Sequence, residues 1–249
     1  MSAKRLLASV VALTFATIAF ADEAPKPKFG PEAVPIFQST AYLREAPAPD
    51  YWTLSPFYIP QRTTSDCSPA AIAMVVNALR GLPANADQEL VTEHSLMATV
   101  ADQDWMVKIT EDGSGVTFEE TTRYLRKSLD VFDLGGATIT VVQPAAADSA
   151  ALEGLRQTLA ENEDSADNVM LVYFNQGVIT GDWDGPHISA IGAYDAKNDR
   201  VLLMDVDRNW YVPYWTSTET LLASLVKPIA EEHVGLAGGT GGYFLVSKP

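Results

Sequence analysis

The sequence contains one cysteine, Cys67, whose position is typical of a catalytic nucleophile. It comes just before an apolar run that predicts a buried helix over residues 69–79. A thiol at the start of a helix meets the positive end of the helix dipole, which favours the reactive thiolate. Gln61 lies six residues upstream, and its amide can donate a hydrogen bond to a developing oxyanion. The competing interpretation is an inert, buried cysteine beside a surface glutamine.

Three histidines are available as the general base that such a thiol needs. His94 lies in a polar helical stretch and His233 follows two glutamates, so we expect both to face solvent. His187 begins a predicted strand, and strands begin at sheet edges, where clefts form. We therefore predict that His187 is the base.

The carboxylate that orients the imidazole follows from the predicted hairpin. A turn over residues 195–199 joins the strand 188–194 to the strand 201–206. If this turn has an odd length, His187 lies opposite or diagonal to Asp205 or Asp207, on the same face of the sheet. Geometry alone does not choose between the two acids. The order Cys, His, Asp, with the cysteine on a helix and the other two on a hairpin, is the papain-type arrangement.

The elements around these residues predict an α+β fold, because helices come first in the chain and antiparallel strands follow. A glycine-rich loop over residues 235–242 is expected to be flexible. Helices are predicted over residues 69–79, 87–101, 117–129 and 149–160, with a short last helix beginning near residue 217. Strands are predicted over residues 169–174, 188–194, 201–206, 210–215 and 243–246.

The first 21 residues have the pattern of a bacterial secretory signal peptide. Lys4 and Arg5 precede an apolar run over residues 6–20, and a small-x-small cleavage site ends at Ala21. A membrane anchor is the alternative, although the run is short for a bilayer span. We therefore expect a periplasmic or secreted protein with an extended arm over residues 22–50 and a catalytic domain over residues 51–249.

Composition excludes several classes of function. The 249 residues contain 17 Lys and Arg against 32 Asp and Glu, and the formal charge of −15 becomes −17 once the two basic leader residues are removed. Such a balance argues against nucleic acid and anionic membranes as main partners. A lone cysteine excludes an intramolecular disulfide and a cysteine-cluster metal site. No segment after the leader is apolar enough for stable membrane insertion.

Several segments resemble the phytochelatin synthase family, papain-like transferases that act on glutathione. Residues 61–67 and 74–79 resemble its nucleophile helix, and residues 115–120 resemble the start of a further helix. The strongest similarity lies in three blocks that contain the histidine and both candidate acids, over residues 187–194, 202–208 and 211–215. The resemblance covers roughly residues 51–248 and implies a papain-like fold, with a helical part packed on an antiparallel sheet.

The resemblance also implies roles for individual residues. It selects Asp205 as the triad acid and puts Gln61 at the oxyanion position. Arg208 matches an arginine of the family motif and is the first candidate to bind the substrate, with Arg62 second. The remaining expected substrate contacts flank the triad and are Asp66, Ser68 and Pro186.

The chain departs from the family pattern at three places. Ser68 follows the nucleophile, where glycine is usual, and arginines usual elsewhere are replaced near Asn175 and Gly241. With fewer cationic anchors, a second glutathione should be held poorly as acyl acceptor. We therefore expect hydrolysis to γ-Glu-Cys and glycine to outrun the formation of longer phytochelatins.

The predicted reaction is attack of Cys67 on the Cys–Gly bond of glutathione, through a γ-Glu-Cys acyl-enzyme. A papain-like peptidase acting on other peptides is the alternative, since residues 66–70 also resemble double-glycine leader peptidases. A secreted binding module with a relic triad is a third interpretation. The resemblance implies activation by heavy metals such as cadmium or zinc through the metal–thiolate form of the substrate. No tightly bound cofactor or resident metal is predicted, and the protein is expected to be a monomer or a homodimer.

Overall fold

The computed structural model describes residues 26–249, so the predicted signal peptide lies outside the described part of the chain. The helices are α1 (Ala41–Glu45), α2 (Pro49–Leu54), α3 (Cys67–Arg80), α4 (Glu93–Val100), α5 (Gln103–Lys108), α6 (Phe118–Val131), α7 (Ser149–Glu163), α8 (Gln176–Thr180) and α9 (Thr218–Val226), with 3₁₀ turns at Ile36–Gln38 and Ser55–Phe57. The strands are β1 (Val34–Pro35), β2 (Thr138–Val142), β3 (Asn168–Asn175), β4 (Pro186–Asp195), β5 (Arg200–Met204), β6 (Tyr214–Ser217) and β7 (Gly242–Ser247).

The seven strands form one antiparallel sheet in the order β1-β6-β5-β4-β3-β7-β2. One face of the sheet packs on a core that contains α3 and α6. The other face packs on the buried leucines of α7 and α9. The central strand β4 is therefore covered on both sides, which explains its nearly continuous run of buried residues.

Helix α3 is buried on every side, as its composition predicted. Every residue from Ser68 to Leu79 is buried. The helix begins at Cys67, two residues earlier than predicted, and ends at Arg80; the next residue, Gly81, has a positive φ of 72°, which suits a residue without a side chain. A helix held in this way gives its first residue, the cysteine, a fixed position.

The N-terminal segment differs from the expected extended arm. Its described part forms β1, which pairs with β6, and the short helices α1 and α2. Asp50 in α2 is fully buried, and the Asn162 amide donates a hydrogen bond to it. The hydroxyl of Tyr42 donates to Glu163 at 2.8 Å. Burial, followed by the charge of Glu163, raises the pKa of Asp50 to about 9.

Other boundaries also differ from the predictions. The helix predicted over residues 87–101 begins only at Glu93, while α5 and β2 lie in segments where no element was predicted. The strand predicted over residues 210–215 begins only at Tyr214, because the amides of Trp210 and Tyr211 both donate to the carbonyl of Asp207 and close a turn. Within residues 26–249, no helix is both long and apolar enough to span a bilayer.

A β-bulge at Gly192 sets the register between β4 and β5. Asp195 pairs with Arg200, which leaves an even number of residues in the turn and not the odd number expected. The register then shifts between Ile191 and Ala193, so that Gly192 is the extra residue. Because of this shift, odd-numbered residues before Gly192 lie opposite odd-numbered residues of the partner segment. His187 and Asp205 therefore lie on one face of the sheet. A Cβ at residue 192 would lie 2.7 Å from Met204 Sδ, so a larger residue there would have to displace the Met204 side chain.

Candidate active site

A cavity of about 480 Å³ opens where the start of α3 meets the start of β4. Its volume lies within the range of about 300–1,000 Å³ that is usual for small-molecule sites. Cys67, His187 and Gln61 all line it. The half-buried Cys67 is the first residue of α3, so its side chain lies where the free N–H groups of the helix point.

The side chains of His187 and Asp205 form a buried pair beside the cysteine. The distance from His187 Nε2 to Asp205 Oδ1 is 3.0 Å, and the two residues are 3% and 0% exposed. Phe174, opposite His187 in the register of β3 and β4, lies edge-on to the imidazole at 5.7 Å between ring centroids. Because Nε2 bonds to the acid, Nδ1 is the ring nitrogen left for the thiol.

The surroundings favour the protonated form of the His187 imidazole. Burial on its own would lower the pKa of His187. The charge of Asp205 and its hydrogen bond, followed by the interaction with Cys67, outweigh burial and raise the pKa well above its ordinary value. An imidazolium beside a thiol is the ion-pair partner that a cysteine nucleophile needs.

Asp205 is held in place by groups other than the histidine. Its Oδ1 also accepts from the amide of Asp207 at 2.8 Å, and its Oδ2 accepts from Gln176 Nε2 at 2.7 Å. Burial opposes the charged form, but the charge of His187 and the hydrogen bonds hold the pKa of Asp205 below its ordinary value. Sequence reasoning missed Gln176. The feature that indicates Gln176 in the sequence is its place directly after a buried strand, and this strand pairs with the strand that carries His187.

Gln61 lies on the cavity wall beside the cysteine, as predicted. Its backbone amide donates to the carbonyl of Val206 at 2.8 Å, and the Tyr58 hydroxyl donates to the carbonyl of Asp205. The segment before the nucleophile is therefore fastened to the segment that carries the acid. Gln61 Oε1 is buried and has no hydrogen-bond partner among the described residues.

The predicted substrate contacts have different surroundings. Pro186 lines the cavity, whereas Ser68 is buried and accepts a hydrogen bond from Trp105 Nε1 at 2.9 Å. Asp66 is also buried, and its Oδ1 accepts from the backbone amides of Arg62 and Thr63. Ser68 and Asp66 therefore support the nucleophile loop from behind, and neither lines the cavity.

The structure reverses the predicted order of the two candidate substrate-binding arginines. Arg208 is exposed and does not line the cavity, because the tight turn after Asp207 carries it away. Arg62 does line the cavity and forms an ion pair with the buried Glu93 at 2.8 Å. Burial, followed by the charge of Asp66, raises the pKa of Glu93 to about 8.

The cavity wall is otherwise acidic and aromatic. Its carboxylates are Glu111, Asp182 and Asp207, and burial raises the pKa of Asp207. Arg62 is the only lysine or arginine among the described lining residues. Arg62 is therefore the cationic anchor that the described wall offers to a substrate carboxylate.

His233 also belongs to the cavity, although it was expected at the solvent-exposed surface. It is half-buried, its Nε2 lies 2.8 Å from the carbonyl oxygen of Asp184, and its ring lies edge-on to Trp183 at 5.3 Å. His94 is exposed, as predicted. In the described part of the chain, no three His, Cys, Asp or Glu side chains are grouped so that they could hold a metal ion.

The order of a nucleophile helix, a histidine strand and an acid after the next strand is that of a papain-like cysteine proteinase fold, and the α+β prediction is confirmed. The model of the phytochelatin synthase family matches residues 32–232. The chain belongs to the phytochelatin synthase family.

A search of solved structures finds the Pseudomonas avirulence protein AvrPphB at 14% identity and a TM-score of 0.33, covering 78% of this chain and 99% of that one. A search of curated proteins finds no match.

Proposed function

We propose that the protein is a glutathione-acting acyltransferase or hydrolase. The Cys67 thiolate attacks the carbonyl carbon of the Cys–Gly bond, and a carbon–sulfur bond forms. The carbon–nitrogen bond then breaks, and the His187 imidazolium gives its proton to the leaving nitrogen of glycine. A γ-Glu-Cys thioester of Cys67 and a neutral imidazole remain.

The observation that carries this proposal is the buried pair of His187 and Asp205 beside the cysteine. An imidazolium at that position stabilises the thiolate and supplies the proton that the leaving amine needs. The Gln61 amide and the free N–H groups at the start of α3 are the donors for the negative oxygen of the tetrahedral intermediate.

The charge of the cavity supports water as the main acyl acceptor. A second glutathione brings carboxylates toward Glu111, Asp182 and Asp207, while Arg62 is the only lysine or arginine among the described lining residues. Water has no charge to be repelled. We propose that hydrolysis to γ-Glu-Cys and glycine outruns chain extension, and that cadmium or zinc activates by forming a thiolate complex with the substrate.

The test uses the protein without residues 1–21, incubated with millimolar glutathione with and without cadmium. Free glycine and γ-Glu-Cys are the expected main products, and Cys67→Ser should abolish both. Long thiol oligomers as the main product would contradict the acceptor argument. Cleavage of unrelated peptides but not glutathione would favour the peptidase alternative, and failure of Cys67 to react with a thiol reagent near neutral pH would favour a binding module.

The same proposal includes a location outside the cytoplasm, which depends on the predicted leader. Cell fractionation should find the processed chain in the periplasm or the medium. Recovery of the chain from the cytoplasm with residues 1–21 retained would overturn this part.

A further inference from the structure

An ammonium group of the chain itself contacts three residues that line the cavity. Lys28 Nζ lies 4.1 Å from the centroid of the Trp210 ring and 4.8 Å from that of Tyr211. It is also 3.8 Å from Asp182 Oδ2. Asp182, Trp210 and Tyr211 all line the cavity that contains Cys67. We call these three residues the rim cage.

The rim cage has the chemistry of a cation site. Two aromatic faces and a carboxylate attract an ammonium, and the Tyr211 hydroxyl fixes the carboxylate by donating to Asp182 Oδ2 at 2.9 Å. Trp210 is 61% exposed, so packing in the core does not account for its position. Asp207, on the same wall, adds a further negative charge that faces Lys28.

Lys28 can leave the cage without unfolding its segment. Gly30 N donates to the carbonyl of Thr180 at 2.7 Å, and Phe29 packs edge-on against Tyr211 and Tyr214. These contacts anchor the backbone, while the lysine side chain remains 40% exposed. A competing ammonium therefore has to displace one flexible side chain only.

We propose that the rim cage is a subsite for a cationic amine acceptor, and that the protein transfers γ-Glu-Cys to aliphatic diamines. This inference rests on the proposed function, since it needs the thioester of Cys67. An amino acid brings a carboxylate beside its amine, which the acidic wall repels, whereas a diamine brings a second cation for the cage.

The transfer step balances without any further reactant. The neutral amine nitrogen of the diamine attacks the thioester carbonyl, a carbon–nitrogen bond forms and the carbon–sulfur bond breaks. The electron pair of that bond stays on Cys67 as the thiolate. The proton lost by the nitrogen goes to His187, which regained a free nitrogen when glycine departed, and the ion pair is restored.

The first test compares amine acceptors that differ only in the group at the end opposite the attacking nitrogen. Glutathione is supplied as acyl donor with 1,4-diaminobutane, with butylamine or with 4-aminobutanoate, and the γ-Glu-Cys amides are quantified by mass spectrometry. We expect the diamine to be used with a kcat/KM about tenfold above that of butylamine, and the anionic amine to be used least. Trp210→Ala and Asp182→Asn should each remove most of the preference for the diamine.

A second measurement does not depend on turnover. Binding of 1,4-diaminobutane to the Cys67→Ser protein is measured by calorimetry, and Lys28→Gln should tighten it because the competing ammonium is gone. Lys197→Gln is the matched control, since this exposed lysine lies in the turn at the opposite end of β4 and should leave binding unchanged.

The outcomes separate this inference from the proposed function. Glycine release from glutathione without any preference for the diamine overturns the subsite and leaves the glutathione activity standing. If no glycine is released although the diamine binds tightly, the proposed glutathione activity is wrong. Unchanged binding in Lys28→Gln, with a lowered melting temperature, would show that Lys28 is a structural lock, and the subsite would be rejected.

Discussion

Replacing Asp205 with asparagine removes the charge opposite His187 while keeping the size of the side chain. The 3.0 Å contact to His187 Nε2 then changes from a charge-assisted hydrogen bond to a neutral one. The single oxygen of asparagine can accept from the Asp207 amide at the Oδ1 position or from Gln176 Nε2 at the Oδ2 position, but not from both. The substitution therefore keeps the size of the side chain while removing the charge and one accepted hydrogen bond.

The size of the effect follows from the contact that is lost. A hydrogen bond to a charged group contributes about 1.5–3 kcal/mol, and about 1.4 kcal/mol corresponds to a factor of ten in rate. We expect kcat/KM for glutathione to fall by about 10- to 150-fold. The charge of Asp205 also helps to raise the pKa of His187, so the pH at which the imidazolium is lost moves downward in the variant.

The assay is glycine release across a pH series, with thermal unfolding recorded to confirm that the variant folds. The basic limb of the pH–rate profile should shift to lower pH in Asp205→Asn. Asp207→Asn is the matched control, because it removes a carboxylate two residues away and leaves the His187 contact intact. Its loss should be smaller and its basic limb unmoved.

A loss below about threefold, with an unmoved basic limb, would refute the reasoning. The imidazolium would then not depend on Asp205. A larger loss in Asp207→Asn than in Asp205→Asn would show that the second acid, and not the first, supports the histidine.

Three further predictions concern the wall, the bulge and a buried acid. Arg62→Ala should raise KM for glutathione more than Arg208→Ala does, because only Arg62 lines the cavity; equal effects on KM would contradict this. Gly192→Ala should destabilise the fold by about 1–3 kcal/mol in urea denaturation, because the new Cβ meets Met204, and the same change should cost less when it is made in a Met204→Ala background. The folded state binds a proton on Asp50 that the unfolded state loses, so stability falls as pH rises between about 4 and 9. Asp50→Asn should flatten that slope in melting temperatures taken from pH 5 to pH 9, and an unchanged slope would contradict the buried proton.

Local patterns were enough to predict the nucleophile helix and the order of the candidate triad. Helix α3 is apolar all round over one continuous segment, and such a segment needs no distant partner to be recognised. Cys67 and His187 line one cavity, and the buried Asp205 contacts His187 from behind.

The register of the hairpin was not predictable in the same way. The expected face relation of His187 and Asp205 holds, but through an even turn corrected by the bulge at Gly192. The even turn and the bulge each shift the register by one residue, and the two shifts cancel. A bulge is a property of the pairing between two strands, and one sequence read along its length does not contain that pairing.

The cavity walls were the least predictable part. His233, Trp183 and Trp210 reach the site from separate loops, and nothing in the residues beside them indicates where those loops end. Ser68 adjoins the nucleophile in sequence, yet its side chain points to Trp105 because successive residues of a helix face different directions. The sequence therefore identified the reactive groups better than it identified the groups that contact a substrate.

The fastening of the nucleophile segment to the acid segment has a mechanical consequence. Gln61 N binds the carbonyl of Val206, and Tyr58 binds the carbonyl of Asp205, so the helical and sheet halves are tied at the level of the reacting atoms. The two halves cannot hinge apart at this point without breaking both ties. Loss of activity and loss of tertiary structure in denaturant should therefore share one midpoint, and the catalytic alignment persists for as long as the whole fold does.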